Sequence, residues 1–384
     1  MIMLQRWIGS LVLLSHLFFS VGFAANINTL ECKQRHCLAV VDAGSTASRL
    51  YVYAYDLNEQ KTPIHIEPIY ENKIAPGLAT MSRDKVSIDT YLSALMSAVS
   101  QHPIPVYFYA TAGMRLLPTT LQDHYYADIT TWFSTHPHWQ LKEARTISGE
   151  EEGLYGWLGL NYHLHTLEDA SQPLVGLLEI GGASAQIAFP VQDVEAIDSK
   201  NIRHIQVYGR PITLFTYSFL GLGVNELFAQ SKGRSACFPI GYPLDNGELA
   251  SGDANSCQKE LGQMMNDSYQ VKALTQAALD KRSNQEWYTV AAVSKMILQK
   301  PFVFSGRAFT LVDLLQQTDQ RLCHQEYSYL TKHYSHNEFI LKNCLIGSYF
   351  YGLLVQSYGF DGQQSVGYLP DSDVSWTVGA LLLL

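Results

Sequence analysis

From residue 38 onward, apolar positions come in short continuous blocks that run into glycine-bearing turns, separated by longer stretches with helical spacing. Residues 38–41 predict a strand, Asp42-Ala43-Gly44-Ser45-Thr46 a turn, and Leu-Tyr-Val-Tyr-Ala-Tyr at 50–55 a strand leaving it. A polar turn at 56–61 and another strand at 64–69 follow, before Ala75-Pro76-Gly77 breaks the pattern. Val86, Ile88, Leu92, Leu95, Met96 and Val99 share one face of a helix expected over 84–100, which Pro103 and Pro105 close. A buried strand at 106–110 then delivers Thr111 to Arg115 into a loop, and a helix over 119–134 and a strand over 141–147 come next. Ser148, with Glu151 three residues on, is a capping box that opens a helix running to 162. This strand, helix, strand alternation predicts an α/β domain.

Residues 174–189 repeat the opening motif. Asp42 falls on Glu179, Gly44 on Gly181, and the small polar residues on Gly182, Ala183 and Ser184. Each copy is an apolar strand, an acid, a glycine turn and a second strand. Backbone N–H groups of such a turn converge on an anion, hydroxyls add donors, and an acid at the strand end orients a hydrated divalent cation. For either copy taken alone, an ordinary hairpin is the alternative; two copies predict two facing lobes with one cleft. Beyond the repeat, 203–218 reads as two strands, 221–231 as a helix and 237–257 as a loop rich in Gly, Pro, Asp and Asn. Helices are expected at 261–283, 309–317, 345–358 and 374–384.

The 384 residues and 47% hydrophobic content suffice for two domains. A net charge of −9 with no extended basic patch argues against nucleic acid or an anionic membrane as partner, so phosphates would have to be held locally. Arg6 precedes an apolar stretch over 7–23, and Gly22-Phe23-Ala24 fits a cleavage site, so 1–24 reads as a secretory signal peptide, with a retained anchor as the alternative. Export makes the even set of six cysteines a disulfide framework. Their clustering suggests Cys32–Cys37, Cys237–Cys257 and Cys323–Cys344, other connectivities being formally open.

DAGSTASR at 42–49, ATAGMRLL at 110–117, ISGEEEGLYGWLGLNY at 147–162, LEIGGASAQIAF at 178–189 and VSWTVGALL at 374–382 resemble, in order and spacing, the five apyrase conserved regions of the nucleoside triphosphate diphosphohydrolases. Shorter segments at 73–78, 217–220, 237–242 and 304–306 resemble secondary signatures, so the likeness spans nearly all of the chain after residue 25. It implies two ribonuclease-H-like lobes of the actin, Hsp70 and sugar-kinase superfamily around a cleft. Lobe I is expected at 25–162 plus 348–384, and lobe II at 163–347. The implied protein is a secreted or periplasmic monomer without a stable membrane anchor, acting on nucleoside tri- and diphosphates.

Phosphoanhydride hydrolysis needs an in-line water, a base for its proton, and positive or N–H charge on the phosphates. By resemblance Glu152 is the base, and Ser184 and Gln186 hold the attacking water. Asp42 and Glu179 bind the waters of a Mg²⁺ or Ca²⁺ ion. Gly44, Ser45, Thr46, Ser48, Gly181, Gly182, Ala183 and Thr111 surround the phosphates, and Phe309 is the position for an aromatic ring against the base, a core Phe being the alternative. Glu179 departs from the family's usual Asp by one methylene, and Ala47 stands where many animal members have His. Arg49 and Arg115 are expected to fix loops by salt bridges, and Trp376 to pack. Competing readings are an exopolyphosphatase or guanosine-pentaphosphate hydrolase, which would use the same loops, and a nucleotide-binding chaperone or actin-like polymer.

Overall fold

The computed structural model describes residues 31–81, 84–98, 102–282, 285–337, 339–369 and 374–384, so the expected signal segment lies outside the described residues. In chain order the strands are β1 (His36–Ala43), β2 (Ser48–Leu57), β3 (Pro63–Ile74), β4 (Ile104–Ala110), β5 (Trp139–Thr146), β6 (Gly176–Ile180), β7 (Ser184–Pro190), β8 (Ile202–Val207), β9 (Arg210–Leu220), β10 (Trp287–Ala291), β11 (Ala308–Thr310) and β12 (Ser365–Tyr368). The helices are α1 (Glu31–Gln34), α2 (Lys85–Leu95), α3 (Ala112–Arg115), α4 (Thr119–Ser134), α5 (Gly149–His163), α6 (Val224–Ser231), α7 (Ala254–Tyr269), α8 (Val271–Leu279), α9 (Ala292–Ile297), α10 (Leu311–Thr318), α11 (Tyr327–His333), α12 (Asn343–Tyr351) and α13 (Trp376–Leu381).

Two sheets form. The first runs β3-β2-β1-β4-β5 and the second β11-β12-β10-β6-β7-β9-β8. Within the second, β9-β7-β6-β10-β12 reproduces the order of the first, with β8 and β11 added at the edges. The directions match too: β1 pairs antiparallel with β2 and parallel with β4, as β6 does with β7 and β10. The internal repeat in sequence is therefore a repeat of topology. This is the two-lobed α/β architecture expected from the resemblance.

Three apolar clusters separate five layers. One binds α2 and α4 to the outer face of the first sheet through Val41, Val52, Ile88, Leu92, Phe108 and Ile129. A second lies between the sheets and joins Leu38, Tyr53 and Tyr109 of the first to Leu177, Ala188 and Leu214 of the second by way of Trp157, Leu158, Trp376 and Leu381. The third packs α7, α10 and α12 on the far face of the second sheet. In the middle layer α5 and α13 lie side by side, and glycines allow it: a Cβ at Gly379 would come within 1.9 Å of the Tyr155 carbonyl oxygen. Tyr53 Oη meets Thr377 Oγ1 at 2.7 Å, tying α13 to β2.

Where the structure departs from the sequence expectations, burial explains most of it. The first lobe does not resume at 348. Leu345, Phe350 and Leu354 are fully buried among second-lobe helices, and β12 pairs with β10 and β11, so the chain leaves that lobe only after Tyr368. Helix α5, placed by sequence in lobe I, packs against β6, β7 and β9 and so lies between the lobes. The helix expected at 261–283 starts earlier, where Asp253 accepts from the Asn255 and Ser256 amides, and it breaks at Gln270, whose φ of 53° is left-handed. Strands β10 and β12 were missed because short buried strands lack alternation. The three disulfides are Cys32–Cys37, Cys237–Cys257 and Cys323–Cys344, as clustering suggested.

Candidate active site

Both glycine turns are closed by the same backbone bond. Gly44 N–H donates to Ala47 O at 3.1 Å, and Gly181 N–H to Ser184 O at 2.9 Å. The equivalence seen in sequence holds to the level of individual atoms. The turns also meet, because a Cβ on Gly182 would lie 2.2 Å from Ser45 Oγ and 2.8 Å from Thr46 Oγ1. Glycine at 182 is what permits this approach.

Glu152 sits in the first turn of α5, after the capping box that Ser148 and Glu151 form as expected, and is 7% exposed. Glu151 is consumed by the cap and by Arg145, whereas Glu152 points inward. Its Oε2 accepts from Arg115 Nη2 at 2.7 Å and from Gln186 Nε2 at 3.0 Å. Gln186 Nε2 also lies 2.6 Å from Ser184 Oγ and 3.2 Å from Ser218 Oγ. With two N–H bonds it serves two of these three acceptors at a time. Glu152, Ser184 and Gln186 thus come from α5 and β7 into one hydrogen-bonded cluster.

Two further acids face this cluster from the equivalent strand ends. Asp42 lies 3.6 Å from Arg49 Nη1, its cross-strand neighbour, and its side chain is 13% exposed. Burial pushes its pKa up to about 7, with Glu152 adding to the rise, while Arg49 and a hydrogen bond from Trp376 oppose it. Glu179 is pushed to about 8 by burial and by the charges of Glu152 and Asp42, relieved in part by Arg115. Its Oε2 is buried without a hydrogen-bond partner in the protein, packed under α5 where Gly156 leaves room for it.

An unpartnered carboxylate oxygen among mutually repelling acids is a site that wants a cation. Carboxylate oxygens suit a hard divalent ion such as Mg²⁺ or Ca²⁺. The residues present therefore fit the expected cofactor. Among the described residues no group of three His, Cys, Asp or Glu side chains stands close enough together to hold an ion directly.

Other expected residues are placed as follows. Thr111 is 4% exposed and its N–H donates to Ala43 O, at the foot of the first turn. Ala183 is buried, and its carbonyl accepts from Gly221 N–H. Ser48 is fully buried, with its Oγ accepting from Tyr91 Oη at 2.8 Å, so it braces the first loop from behind instead of facing phosphate. Phe309 is likewise a correction. At 4% exposure, packed among Phe304, Phe350 and Tyr368, it has no free face for a base. It is a core residue of β11.

Arg115 makes a salt bridge, as expected, and its partner is Glu152; sequence reasoning left out Ser218. Ser218 lies inside the segment at 217–220 that resembles a secondary signature, which was the available signal. Trp376 stacks on Tyr109 and Tyr155 as packing would require, and it holds the Asp42 pKa down against burial.

Two repeated lobes with paired glycine turns and acids between them define the two-lobed α/β fold that the sequence resemblance implies. Residues 28–236 match the model of the GDA1/CD39 (nucleoside phosphatase) family, and the chain belongs to that family. It is 32% identical to the nucleoside-diphosphatase mig-23 of Caenorhabditis elegans, over 61% of this chain and 52% of that protein. To ectonucleoside triphosphate diphosphohydrolase 1 of Bos taurus it is 25% identical, over 90% of this chain and 80% of the relative. The match thus spans about half the length of the nematode diphosphatases. Among solved structures, nucleoside triphosphate hydrolases from Neospora caninum superpose with a TM-score of 0.57 at 17% identity, covering 92% of this chain and 94% of that one. An Aquifex aeolicus member of the Ppx/GppA family gives 0.54 at 13% identity, over 90% and 96%. Both likenesses concern the fold.

Proposed function

We propose that this protein is a secreted apyrase that hydrolyses nucleoside tri- and diphosphates stepwise to the monophosphate and phosphate. The observation that carries the reading is the cluster of Glu152, Ser184 and Gln186 set against two buried acids at the ends of repeated glycine turns. Membership in the nucleoside phosphatase family and the names of its diphosphatase and triphosphate diphosphohydrolase relatives support it. Three disulfides suit an oxidising compartment, and no helix among the described residues is long and apolar enough to cross a membrane.

In this reading water attacks the terminal phosphorus in line with the bridging oxygen. A P–O bond forms to water, the bridging P–O bond breaks, and the water proton passes to Glu152. Both protein hydrogen bonds to Glu152 reach Oε2, so Oε1 is the oxygen that takes the proton. Ser184 Oγ and the Gln186 amide orient the water, and the amides of Ser45, Thr46, Gly182 and Ala183 hold phosphate oxygens, on turns that the Gly44 and Gly181 amides close. Asp42 and Glu179 would hold the waters of Mg²⁺ or Ca²⁺, which supplies charge neutralisation of the phosphates when bound. No residue forms a covalent intermediate.

The test is phosphate release from ATP, ADP, guanosine pentaphosphate and polyphosphate, each with Mg²⁺, with Ca²⁺ and with excess chelator. Release from ATP and then ADP, abolished by chelator, is the expected result. Preference for polyphosphate or guanosine pentaphosphate would move the protein to the competing phosphatase reading, and a single slow turnover to the chaperone-like one.

A further inference from the structure

Asn225, in the first turn of α6, belongs to none of the roles above, yet it is bonded to both glycine turns at once. Its backbone N–H donates to Gly182 O at 2.8 Å, and its side-chain Nδ2 donates to Thr46 Oγ1 at 3.1 Å across the cleft. The start of α6 is itself fused to the second turn. Val224 N–H donates to Gly181 O at 2.9 Å, and Gly223 packs so closely that a Cβ there would fall 2.2 Å from Ala183 N. Whatever α6 does, the second turn follows. Through Thr46, the first turn is tied to the same helix.

We infer that Asn225 is a positioning residue, a clasp that sets the spacing of the two phosphate turns. The inference rests on the apyrase reading for its consequence: a polyphosphate lying between the turns takes amides from both. Their separation must then be fixed before it binds, or the ordering is charged against affinity. Because Thr46 Oγ1 accepts from Asn225, its own proton stays free for another acceptor. Contact at Gly182 sets the limit of approach, and the clasp holds the turns near it.

The inference is tested on the nucleotide-free protein by hydrogen–deuterium exchange in peptides covering 43–48 and 181–185. Asn225→Ala and Thr46→Val should each speed exchange there by roughly three- to tenfold, the range of one hydrogen bond. The double variant should be no faster than either single one. Asn225→Asp should keep the wild-type rate, since the Thr46 hydroxyl then donates to the carboxylate and the bond only reverses. In hydrolysis, Asn225→Ala should raise KM for ATP by a similar factor with a smaller change in kcat. Unchanged exchange in Asn225→Ala, an Asp variant as fast as the Ala variant, multiplying effects in the double variant, or an unchanged KM would each overturn the clasp. Asn225 is half-buried and Thr46 exposed, so none of these substitutions opens a cavity in the core. If wild-type protein shows no hydrolysis while the exchange pattern holds, the apyrase reading falls and the clasp remains.

Discussion

Removing divalent cations and raising the pH together should destabilise this protein, and the size of the effect follows from two side chains. Asp42 titrates near 7 against an ordinary 3.8, and Glu179 near 8 against 4.5, chiefly because both are buried. An acid with a raised folded-state pKa keeps a proton that the unfolded chain has already released. The native state then binds more protons than the unfolded one from about pH 4 to about pH 8, and stability falls as pH rises through that window. At 1.36 kcal/mol per pH unit, a rise to about 7 or about 8 corresponds to roughly 4–5 kcal/mol for either acid taken singly. The charge of Glu152 contributes to both rises and that of Asp42 to the rise of Glu179, so the two losses overlap, and either alone is a large share of a typical domain's stability. Urea unfolding of chelated protein, followed by tryptophan fluorescence at pH 4.5 and pH 8.5, spans most of this window. Glu179→Gln, which keeps the shape and removes the charge, should be more stable than wild type at pH 8.5 in chelator and should lose much of the pH slope. Excess Mg²⁺ or Ca²⁺ should restore wild type at pH 8.5 and help the variant less. Chelated wild type equally stable at both pH values, or a Gln variant with the full slope, would refute the reasoning.

Glu152→Gln should lower kcat by ~10²–10⁴-fold with ATP while leaving the melting temperature near wild type, since the amide still fits between Arg115 and Gln186; retained turnover in a phosphate-release assay removes Glu152 as base. Gly156→Ala should weaken metal dependence severalfold, because the new Cβ would stand 2.8 Å from Glu179 Oε2 and force that carboxylate to move; activity titrated against Mg²⁺ concentration checks it. Phe309→Ala should lower stability by about 3–5 kcal/mol, as for other buried aromatic deletions, without discriminating between ATP and GTP in KM; a base-selective change in KM would return the ring to the nucleoside site.

The local parts of the site were legible in sequence because their chemistry is local. Asp42 and Glu179 precede their turns by two residues, and the turn type is written in Gly44 and Gly181, so strand, acid and loop could be read from a dozen neighbouring residues. Ser148 and Glu151 fixed the start of α5 in the same way and thereby the place of Glu152. Clustered cysteines pointed to the correct bridges, since neighbours in sequence are the partners most readily brought together. What sequence left open was decided by groups far apart in the chain. Phe309 and Ser48 look available in sequence, and only the packing of Phe350, Tyr368 and Tyr91 onto them removes them from the cleft. The lobe boundary moved because a helix buried on every side carries no record of which sheet buries it, and only the pairing of β12 with β10 settles that the second lobe runs to Tyr368. The Arg115–Glu152 pair and the Asn225–Thr46 bond join segments that share no local pattern. The sequence alone determined the two glycine turns, their acids and the capped helix that carries Glu152, because backbone propensity and hydrogen bonding within a few residues encode them. Tertiary structure alone decided which side chains face the cleft and what holds the turns together, because burial and charge pairing depend on distances that one sequence does not record.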